Sequence, residues 1–463
     1  MNRVASAIVA ILIAVAPSVV CAQATALPPA SKVRGTLDSL ATAFLTAKST
    51  PGMAVAVVRG TDTLLFRGYG TANLELGTPI TTASVFRIGS VTKQFTASAV
   101  LQLVEQGKLA LTDTVGQFIP DLPLTWRGAT ITQLLNHTSG IPSYTELGES
   151  WTKRWGEEMT GAQIVALTSD KALDFPRGSS WKYDNTGYVL LGMLVEARTG
   201  HTWGQDFAER FFRPLGMTGT RYCDVRSMIP NRASGYAKSG DTAWVNSTFL
   251  AMSQPHAAGA MCSTIGDLLV WNRALHGGRV LKPASYLAMT TPEGSALPRK
   301  YGFAQVRDTL GGHVLLAHGG GINGFLTANM FVPDAQLSVS VLTNGDDVGP
   351  DRLALQLTRA ALGVPLDLPP KAIPMAAAEM RRYSGVYNLV LDAARPFTVT
   401  EKDGKLTGQL EGQGPTTLIP FGDHTFGADF DPMVRLIFTM SDGKPTKVTL
   451  KQNGRSFEGT RRP

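Results

Sequence analysis

Apolar residues recur along most of the chain at spacings that predict both strands and helices. Between residues 51 and 70, two apolar runs flank the tetrapeptide Arg-Gly-Thr-Asp, which predicts a β-hairpin near the start of a first domain. Residues 91–103 carry an apolar side chain at every fourth position, and Gly107 follows. This spacing predicts a buried helix that ends at the glycine.

The pattern changes after residue 362. Repeated prolines in residues 363–376 predict a linker, because proline stiffens the chain and cannot join regular pairing. Residues 377–463 consist of short β-type runs, which predict a small antiparallel domain of about eight strands if it closes as a barrel. The runs are separated by turn signals at Asp403-Gly404, Gly412-Gln413-Gly414, Asp442-Gly443 and Asn453-Gly454.

The first 22 residues have the features of a signal peptide: a cation at Arg3, an apolar run, and small residues at Cys21 and Ala22. An uncleaved anchor is the alternative, although the run is short for a bilayer and contains Pro17. No other segment is apolar for long enough to span. We therefore expect an exported protein, periplasmic or extracellular, without a stable membrane span after cleavage.

Composition narrows the classes of function. The 463 residues are 43% hydrophobic and 17% charged, which indicates a globular chain. The net charge of +7 is dispersed without basic clusters, which argues against nucleic-acid binding. No metal-ligand motif occurs, so no metal or cofactor is expected. In an oxidising compartment, Cys223 and Cys262 form either a disulfide or two buried free thiols.

Four Ser-x-x-Lys matches occur, and context separates them. Only Ser90 stands at the start of the predicted buried helix, with Lys93 one turn later on the same face. There the helix dipole favours negative charge on the serine oxygen, and burial lowers the proton affinity of the lysine. A helix cap followed by a solvated lysine is the alternative. The other three matches lie in turns or surface segments, at Ser150-x-x-Lys153, Ser179-x-x-Lys182 and Ser441-x-x-Lys444.

Two further motifs favour catalysis. Tyr183-Asp-Asn185 precedes a second apolar helix, so that the tyrosine can share a proton and the asparagine can orient substrate or lysine. His318 is followed by Gly319, Gly320 and Gly321 between two strand-like runs, where bare backbone can present N–H groups to an oxyanion.

In this order the three motifs resemble the penicillin-recognising serine hydrolases: class C β-lactamases, D,D-carboxypeptidases, and their esterase and D-aminopeptidase relatives. The resemblance covers most of residues 35–362, and the hydrolase domain is expected to span residues 33–362. It implies an α+β fold, with a central antiparallel sheet flanked by helices beside a helical subdomain, and a lipocalin-like C-terminal barrel. It also implies roles: Ser90 forms an acyl-enzyme, Lys93 and Tyr183 move its proton, Asn185 positions substrate, and the N–H groups of Ser90 and Gly321 bind the oxyanion.

The sequence departs from β-lactamases and D,D-peptidases where those enzymes usually have a lysine. Here it is His318, which at its ordinary pKa is only partly charged at neutral pH, so a permanent anchor for a substrate carboxylate is missing. The histidine therefore favours hydrolysis of amide or ester bonds in small molecules or peptides. β-Lactams and peptidoglycan-derived peptides are the alternative substrates. A penicillin-binding sensor or scaffold without hydrolysis is the alternative outside enzymology.

Overall fold

The computed structural model describes residues 27–47, 49–240, 243–367, 370–391, 394–429, 434–452 and 455–462. The signal-peptide prediction and the turn at Asn453-Gly454 lie outside these residues. The chain divides into two compact units with a boundary between Pro365 and Leu366. In the described part of the chain, no helix is both long and apolar enough to cross a membrane.

The first unit is built around a seven-stranded antiparallel sheet with the strand order β3-β2-β1-β12-β11-β10-β9. A three-stranded sheet (β4-β8-β5) and a two-stranded sheet (β6-β7) complete its β structure. The strands are β1 (Gly52–Arg59), β2 (Asp62–Asn73), β3 (Thr78–Pro79), β4 (Phe86–Arg87), β5 (Arg221–Tyr222), β6 (Tyr236–Ser239), β7 (Ala243–Asn246), β8 (Met261–Ser263), β9 (Val306–Leu310), β10 (His313–Ile322), β11 (Phe325–Val332) and β12 (Leu337–Thr343).

Helices surround this sheet and form a separate helical region. They are α1 (Ala30–Thr46), α2 (Thr92–Glu105), α3 (Leu124–Arg127), α4 (Ile131–Leu135), α5 (Glu149–Thr152), α6 (Gly161–Ala166), α7 (Asn185–Thr199), α8 (Trp203–Phe207), α9 (Arg213–Leu215), α10 (His256–Gly259), α11 (Ile265–His276), α12 (Pro283–Thr290) and α13 (Asp351–Leu362). Single 3₁₀ turns cover Gly89–Val91, Val115–Gln117, Tyr144–Glu146 and Gly294–Arg299, and a π-helical turn covers Ala208–Phe212.

The predicted hairpin is confirmed as β1 and β2, which pair around Gly60 and Thr61. Side chains alternate between the two faces of β1. Ala54, Ala56 and Val58 belong to the core that also contains the buried residues of α2, α7 and α11. The opposite face is covered by α1 and α13, which pack against each other and against the sheet.

The second unit is a closed barrel, as predicted. It begins with α14 (Ala377–Met380) and a 3₁₀ turn at Arg381–Tyr383. Eight antiparallel strands then close the barrel: β13 (Gly385–Val390), β14 (Ala394–Lys402), β15 (Lys405–Leu410), β16 (Thr416–Gly422), β17 (Thr425–Ala428), β18 (Arg435–Ser441), β19 (Lys444–Gln452) and β20 (Arg455–Arg461). Asp403 and Asp442 adopt positive φ, as two-residue hairpin turns require.

Candidate active site

Ser90 lies in the 3₁₀ turn that leads directly into α2, at the start of a helix that is buried over most of its length. Gly89 has φ +50°, a conformation that favours glycine. A Cβ at Gly89 would lie 2.8 Å from Gly321 N, and one at Gly320 would lie 3.1 Å from Ser90 N. The backbone at residues 88–90 therefore passes so close to the backbone of β10 at Gly320 and Gly321 that neither Gly89 nor Gly320 can carry a side chain.

Strand β10 presents an unpaired edge beside Ser90. The neighbouring β9 pairs with β10 only as far as Ala317, so residues 318–322 have no strand on that side. On the other side, Ile322 pairs with Phe325 across a two-residue turn, and hydrogen-bonded pairs alternate along an antiparallel ladder. Gly321 consequently directs its N–H away from β11 and into the space next to Ser90.

Lys93 is fully buried, and its amine contacts three oxygen atoms. Its Nζ lies 3.0 Å from Ser90 Oγ, 2.7 Å from Asn185 Oδ1 and 2.8 Å from the carbonyl oxygen of Ala258. The amide and carbonyl oxygens can only accept hydrogen bonds. A neutral amine has two N–H bonds for these two acceptors and one lone pair, which then faces the Ser90 hydroxyl.

The electrostatic surroundings favour the neutral form of Lys93. Burial lowers its pKa well below the ordinary value of 10.5, and the charge of Asp184 opposes this shift. Asp184 is itself buried, and burial raises its pKa to about 7, against the hydrogen bonds from the N–H groups of Gly187 and Thr186. The carboxyl that faces the lysine is therefore only partly ionised near neutral pH, and it stabilises an ammonium weakly.

Tyr183 contacts both Ser90 and Lys93. Its ring centroid is 4.7 Å from Lys93 Nζ, and its side chain hydrogen-bonds Ser90. Burial raises the pKa of Tyr183 above its ordinary value of 10, although the bond with Ser90 opposes the shift. The tyrosine is therefore a phenol at neutral pH, and of the two groups that contact Ser90, only Lys93 has its pKa moved toward neutrality.

Asn185, the first residue of α7, holds the lysine amine in place. Its Nδ2 donates to Thr145 Oγ1 at 3.0 Å, so its Oδ1 faces Lys93. Its backbone N–H donates to Ser143 Oγ at 3.1 Å. The sequence left open whether the Asn185 amide orients substrate or Lys93. The contacts observed here are those of an amide that orients Lys93.

His318 is buried at the end of a hydrogen-bonded chain that sequence analysis missed. The Gly319 carbonyl can only accept, so His318 Nδ1, 2.6 Å away, carries the proton. His318 Nε2 then accepts from the Tyr301 hydroxyl at 2.8 Å, and the Tyr301 oxygen accepts from His137 Nε2 at 3.2 Å. His137 Nδ1 accepts the Asp184 N–H at 3.1 Å. The same hydrogen-bond directions result whether the chain is followed from Gly319 or from Asp184. Each imidazole donates one hydrogen bond and accepts one, so both are neutral.

The expectation that His318 is partly charged at neutral pH is wrong. Burial, together with the neighbouring Lys93, lowers its pKa to about 4. The ordinary histidine value applies to a solvated ring, whereas this ring is enclosed and donates and accepts one hydrogen bond each. Above about pH 5 the ring of His318 is uncharged, whereas a lysine at this position would carry a positive charge.

The predicted cysteine pair is present as free thiols, not as a disulfide. Arg221 of β5 is the partner of Cys262 in β8, whereas the Cys223 N–H donates to Ala260 O. The cysteines are thus diagonal neighbours, whose Cα atoms in a sheet are about 7–8 Å apart, farther than a disulfide of about 4.4–6.8 Å allows. Both thiols are buried and hydrogen-bond each other.

The remaining Ser-x-x-Lys lysines are engaged elsewhere. Lys153 pairs with Glu149 at 2.7 Å on an exposed helix. Ser441 and Lys444 are backbone partners on opposite strands at the β18–β19 turn, not successive turns of one helix. Lys182 contacts Asp174 at 2.7 Å. In the described part of the chain, no group of three or more His, Cys, Asp or Glu side chains could hold a metal ion.

Comparison with known proteins finds similar sequences and a similar solved structure. Penicillin-binding protein 4* of Bacillus subtilis (strain 168) is 26% identical over 435 residues, which cover 88% of this chain and 94% of that protein. A D-aminopeptidase of Gluconobacter oxydans (strain 621H) is 27% identical over 333 residues, which cover 68% of this chain but only 60% of that protein. The D-stereospecific amidohydrolase of a Streptomyces species superimposes with a TM-score of 0.61 at 30% identity, covering 71% of this chain and 98% of its own.

The family assignment rests on the larger part of the chain. The match to the family described as Beta-lactamase spans residues 37–363, which include Ser90, Lys93, Tyr183 and His318. The chain belongs to the beta-lactamase family.

Proposed function

We propose that this chain is an exported serine hydrolase that cleaves amide bonds, and related esters, through an acyl-enzyme on Ser90. The observation that carries the proposal is the environment of Lys93, whose Nζ is 3.0 Å from Ser90 Oγ and bound to two obligate acceptors. Similarity to a D-aminopeptidase and a D-stereospecific amidohydrolase supports a D-amino acid as the acyl part of the substrate.

Acylation begins when the Lys93 amine takes the proton of Ser90 as Oγ bonds to the substrate carbonyl carbon. The negative charge that develops on the carbonyl oxygen meets the N–H groups of Ser90 and Gly321, which lie on adjacent backbones. Donors placed for this charge are typically worth about 10²- to 10³-fold in rate. Both donors belong to the main chain, so their positions are fixed before substrate binds.

Collapse of the tetrahedral intermediate requires a proton on the leaving nitrogen. Tyr183, a phenol in contact with Ser90, donates this proton and recovers one from the Lys93 ammonium, 4.7 Å from its ring centre. The C–N bond breaks and the amine leaves. Water then attacks the ester carbon with Lys93 as base, and the carboxylic acid and free Ser90 are released.

A β-lactamase or D,D-carboxypeptidase is the second candidate, and its substrates carry a carboxylate on the leaving-group side. His318 stands where such a carboxylate would be bound by a cation, and its ring is neutral because burial lowers its pKa to about 4. This absence of charge favours substrates with an uncharged leaving group.

The test is intact-mass spectrometry after rapid mixing with the p-nitroanilides of D-alanine and L-alanine and with nitrocefin. We expect a D-alanyl adduct on the wild type and none on Ser90→Ala. Ser98→Ala is the matched control, because Ser98 is buried in the same helix and its hydroxyl has no hydrogen-bond partner among the described residues. An adduct that persists in Ser90→Ala would refute the nucleophile.

The same experiment separates the alternatives. An adduct that forms with nitrocefin but is not hydrolysed would favour the penicillin-binding sensor, and rapid turnover of nitrocefin would favour the β-lactamase. Export is tested separately by sequencing the N-terminus of the mature protein, which we expect to begin after Ala22.

A further inference from the structure

A cavity of about 290 Å³ lies beside the end of β10, next to the catalytic contacts but separate from them. Two arginines, Arg87 and Arg232, line it together with the polar side chains of Ser247 and Asn323 and the ring of Phe325. The guanidinium of Arg87 lies 5.9 Å from the centre of that ring. The cavity thus combines two permanent positive charges with neutral hydrogen-bonding groups.

Among the described residues, neither arginine forms an ion pair with a carboxylate. Arg87 hydrogen-bonds the Cys223 side chain, and Arg232 Nε is buried without a hydrogen-bond partner. The Nη2 of Arg232 donates to the carbonyl oxygens of Asp224 and Ser227 at 2.9 and 2.8 Å, which fixes the guanidinium in position. The Asp224 carboxylate accepts from the Arg226 N–H and the Ser227 hydroxyl, and these bonds lower its pKa more than the charge of Arg232 does.

The two positive charges also act on each other. Burial lowers the pKa of Arg87, the nearby Cys223 side chain opposes this shift, and the charge of Arg232 adds to it. Two guanidinium groups that face one cavity repel each other until an anion lies between them, and a carboxylate can accept hydrogen bonds from both. This arrangement is typical of an anion-binding site.

The cavity is within reach of a substrate held at Ser90. Arg87 ends β4 only three residues before Ser90, and Asn323 follows Gly321 by two residues. At about 3.3–3.6 Å per extended residue, both wall residues have their Cα atoms within about 11 Å of the nucleophile or of the oxyanion donor. Side chains and a short acyl group cover that distance.

The direction of the substrate decides which part enters the cavity. Tyr183, the proposed proton donor to the leaving group, lies beside His318, with ring centres 6.5 Å apart, at one end of the glycine segment. Asn323 and the cavity lie beyond the other end of the same segment. A leaving group directed toward Tyr183 therefore places the acyl group toward the two arginines.

We propose that Arg87 and Arg232 bind a carboxylate on the acyl part of the substrate, so that the preferred substrates are amides of acidic D-amino acids such as D-glutamate or D-aspartate. The inference rests on the proposed function, which supplies Ser90 and the orientation of the leaving group. It places the selective positive charge on the acyl side, whereas the leaving-group side, at His318, is uncharged.

The test compares the p-nitroanilides of D-glutamic acid, linked through its α-carbonyl, and of D-glutamine, which differ only in the charge of the side chain. We expect the wild type to have a kcat/KM about 10- to 100-fold higher for the D-glutamyl substrate, as for a charge-assisted hydrogen bond, and Arg87→Gln to lose that preference. Arg87→Lys restores part of it. Arg226→Gln is the control, because it removes an exposed positive charge from the loop that carries Arg232 and should keep the wild-type ratio.

Binding of D-glutamate and D-glutamine, measured by calorimetry, gives an answer that needs no turnover. Tighter binding of D-glutamate that is lost in Arg87→Gln supports the pocket even if neither anilide is cleaved, and that outcome counts against the proposed function alone. Equal kcat/KM for both anilides, equal binding of both amino acids, or a preference that survives in a folded Arg87→Gln overturns the inference. Circular dichroism and Tm show that the variant is folded.

Discussion

Replacement of Lys93 by methionine tests the neutral-base assignment most directly. Methionine has a similar length but no amine, so Ser90 loses the base that lies 3.0 Å from its oxygen. General-base catalysis typically contributes about 10²- to 10⁴-fold, which corresponds to about 3–5.5 kcal/mol of barrier. We expect kcat/KM for D-alanine p-nitroanilide to fall by that factor, whereas Lys153→Met, in an exposed Ser-x-x-Lys match, leaves it unchanged.

Stability should respond much less than activity. Methionine leaves Asn185 Oδ1 and the Ala258 carbonyl without a donor, at about 1–3 kcal/mol each, but it also removes the cost of burying an amine. These terms oppose each other, so Tm measured by circular dichroism should move by only a few degrees.

The pH profile of the wild type provides the decisive result. Because burial lowers the pKa of Lys93, kcat/KM should reach its plateau well below pH 10.5, the ordinary lysine value. The reasoning fails if kcat/KM keeps rising tenfold per pH unit up to 10.5, or if folded Lys93→Met retains more than about a tenth of wild-type activity.

Four further outcomes follow from the buried groups. Asp184→Asn should raise Tm more at pH 8 than at pH 5: the unfolded carboxyl ionises near 3.8 and the folded one near 7, so stability falls as pH rises between these values, by at most roughly 4 kcal/mol. Tyr301→Phe should lower the Tm by several degrees, because it leaves Nε2 of His318 and of His137 without the Tyr301 hydroxyl, at about 1–3 kcal/mol each; ¹⁵N NMR should still show the His318 proton on Nδ1, which bonds the Gly319 carbonyl. His318→Lys should increase turnover of N-acetyl-D-Ala-D-Ala relative to D-alanine p-nitroanilide, and an unchanged ratio would show that charge at this position does not select substrates. The same NMR titration of the wild type should show no protonation of His318 between pH 5 and 8, because its pKa is lowered to about 4.

Features determined by local sequence could be predicted. The β1–β2 hairpin and the barrel follow from short-range patterns, since alternating apolar residues and Asp-Gly pairs act within a few positions. The placement of Ser90 at a helix start, with Lys93 one turn later, is local in the same sense. The contacts of Tyr183 and Asn185 with these residues were expected only through the resemblance of three ordered motifs.

Features that depend on tertiary contacts could not be predicted. Tyr301 joins His137 and His318, which are 164 and 17 residues away from it, and no motif marks this tyrosine. The charge of His318 was misjudged for the same reason, because burial of a ring is not visible in the tripeptide around it. Whether Cys223 can form a disulfide with Cys262 depends on the register of β5 against β8. In that register Arg221, not Cys223, lies opposite Cys262.

The close passage of β10 past Gly89 limits how this enzyme can change its specificity. A side chain at Gly320 would collide with the backbone at Ile88 and Ser90, so the wall that faces the substrate carbonyl is closed to mutation. Main-chain atoms are the same in every variant, and selection can act only on the side chains around them. Libraries aimed at new substrates should therefore vary the exposed Phe249 and the turn residue Asn323, and keep the glycines constant.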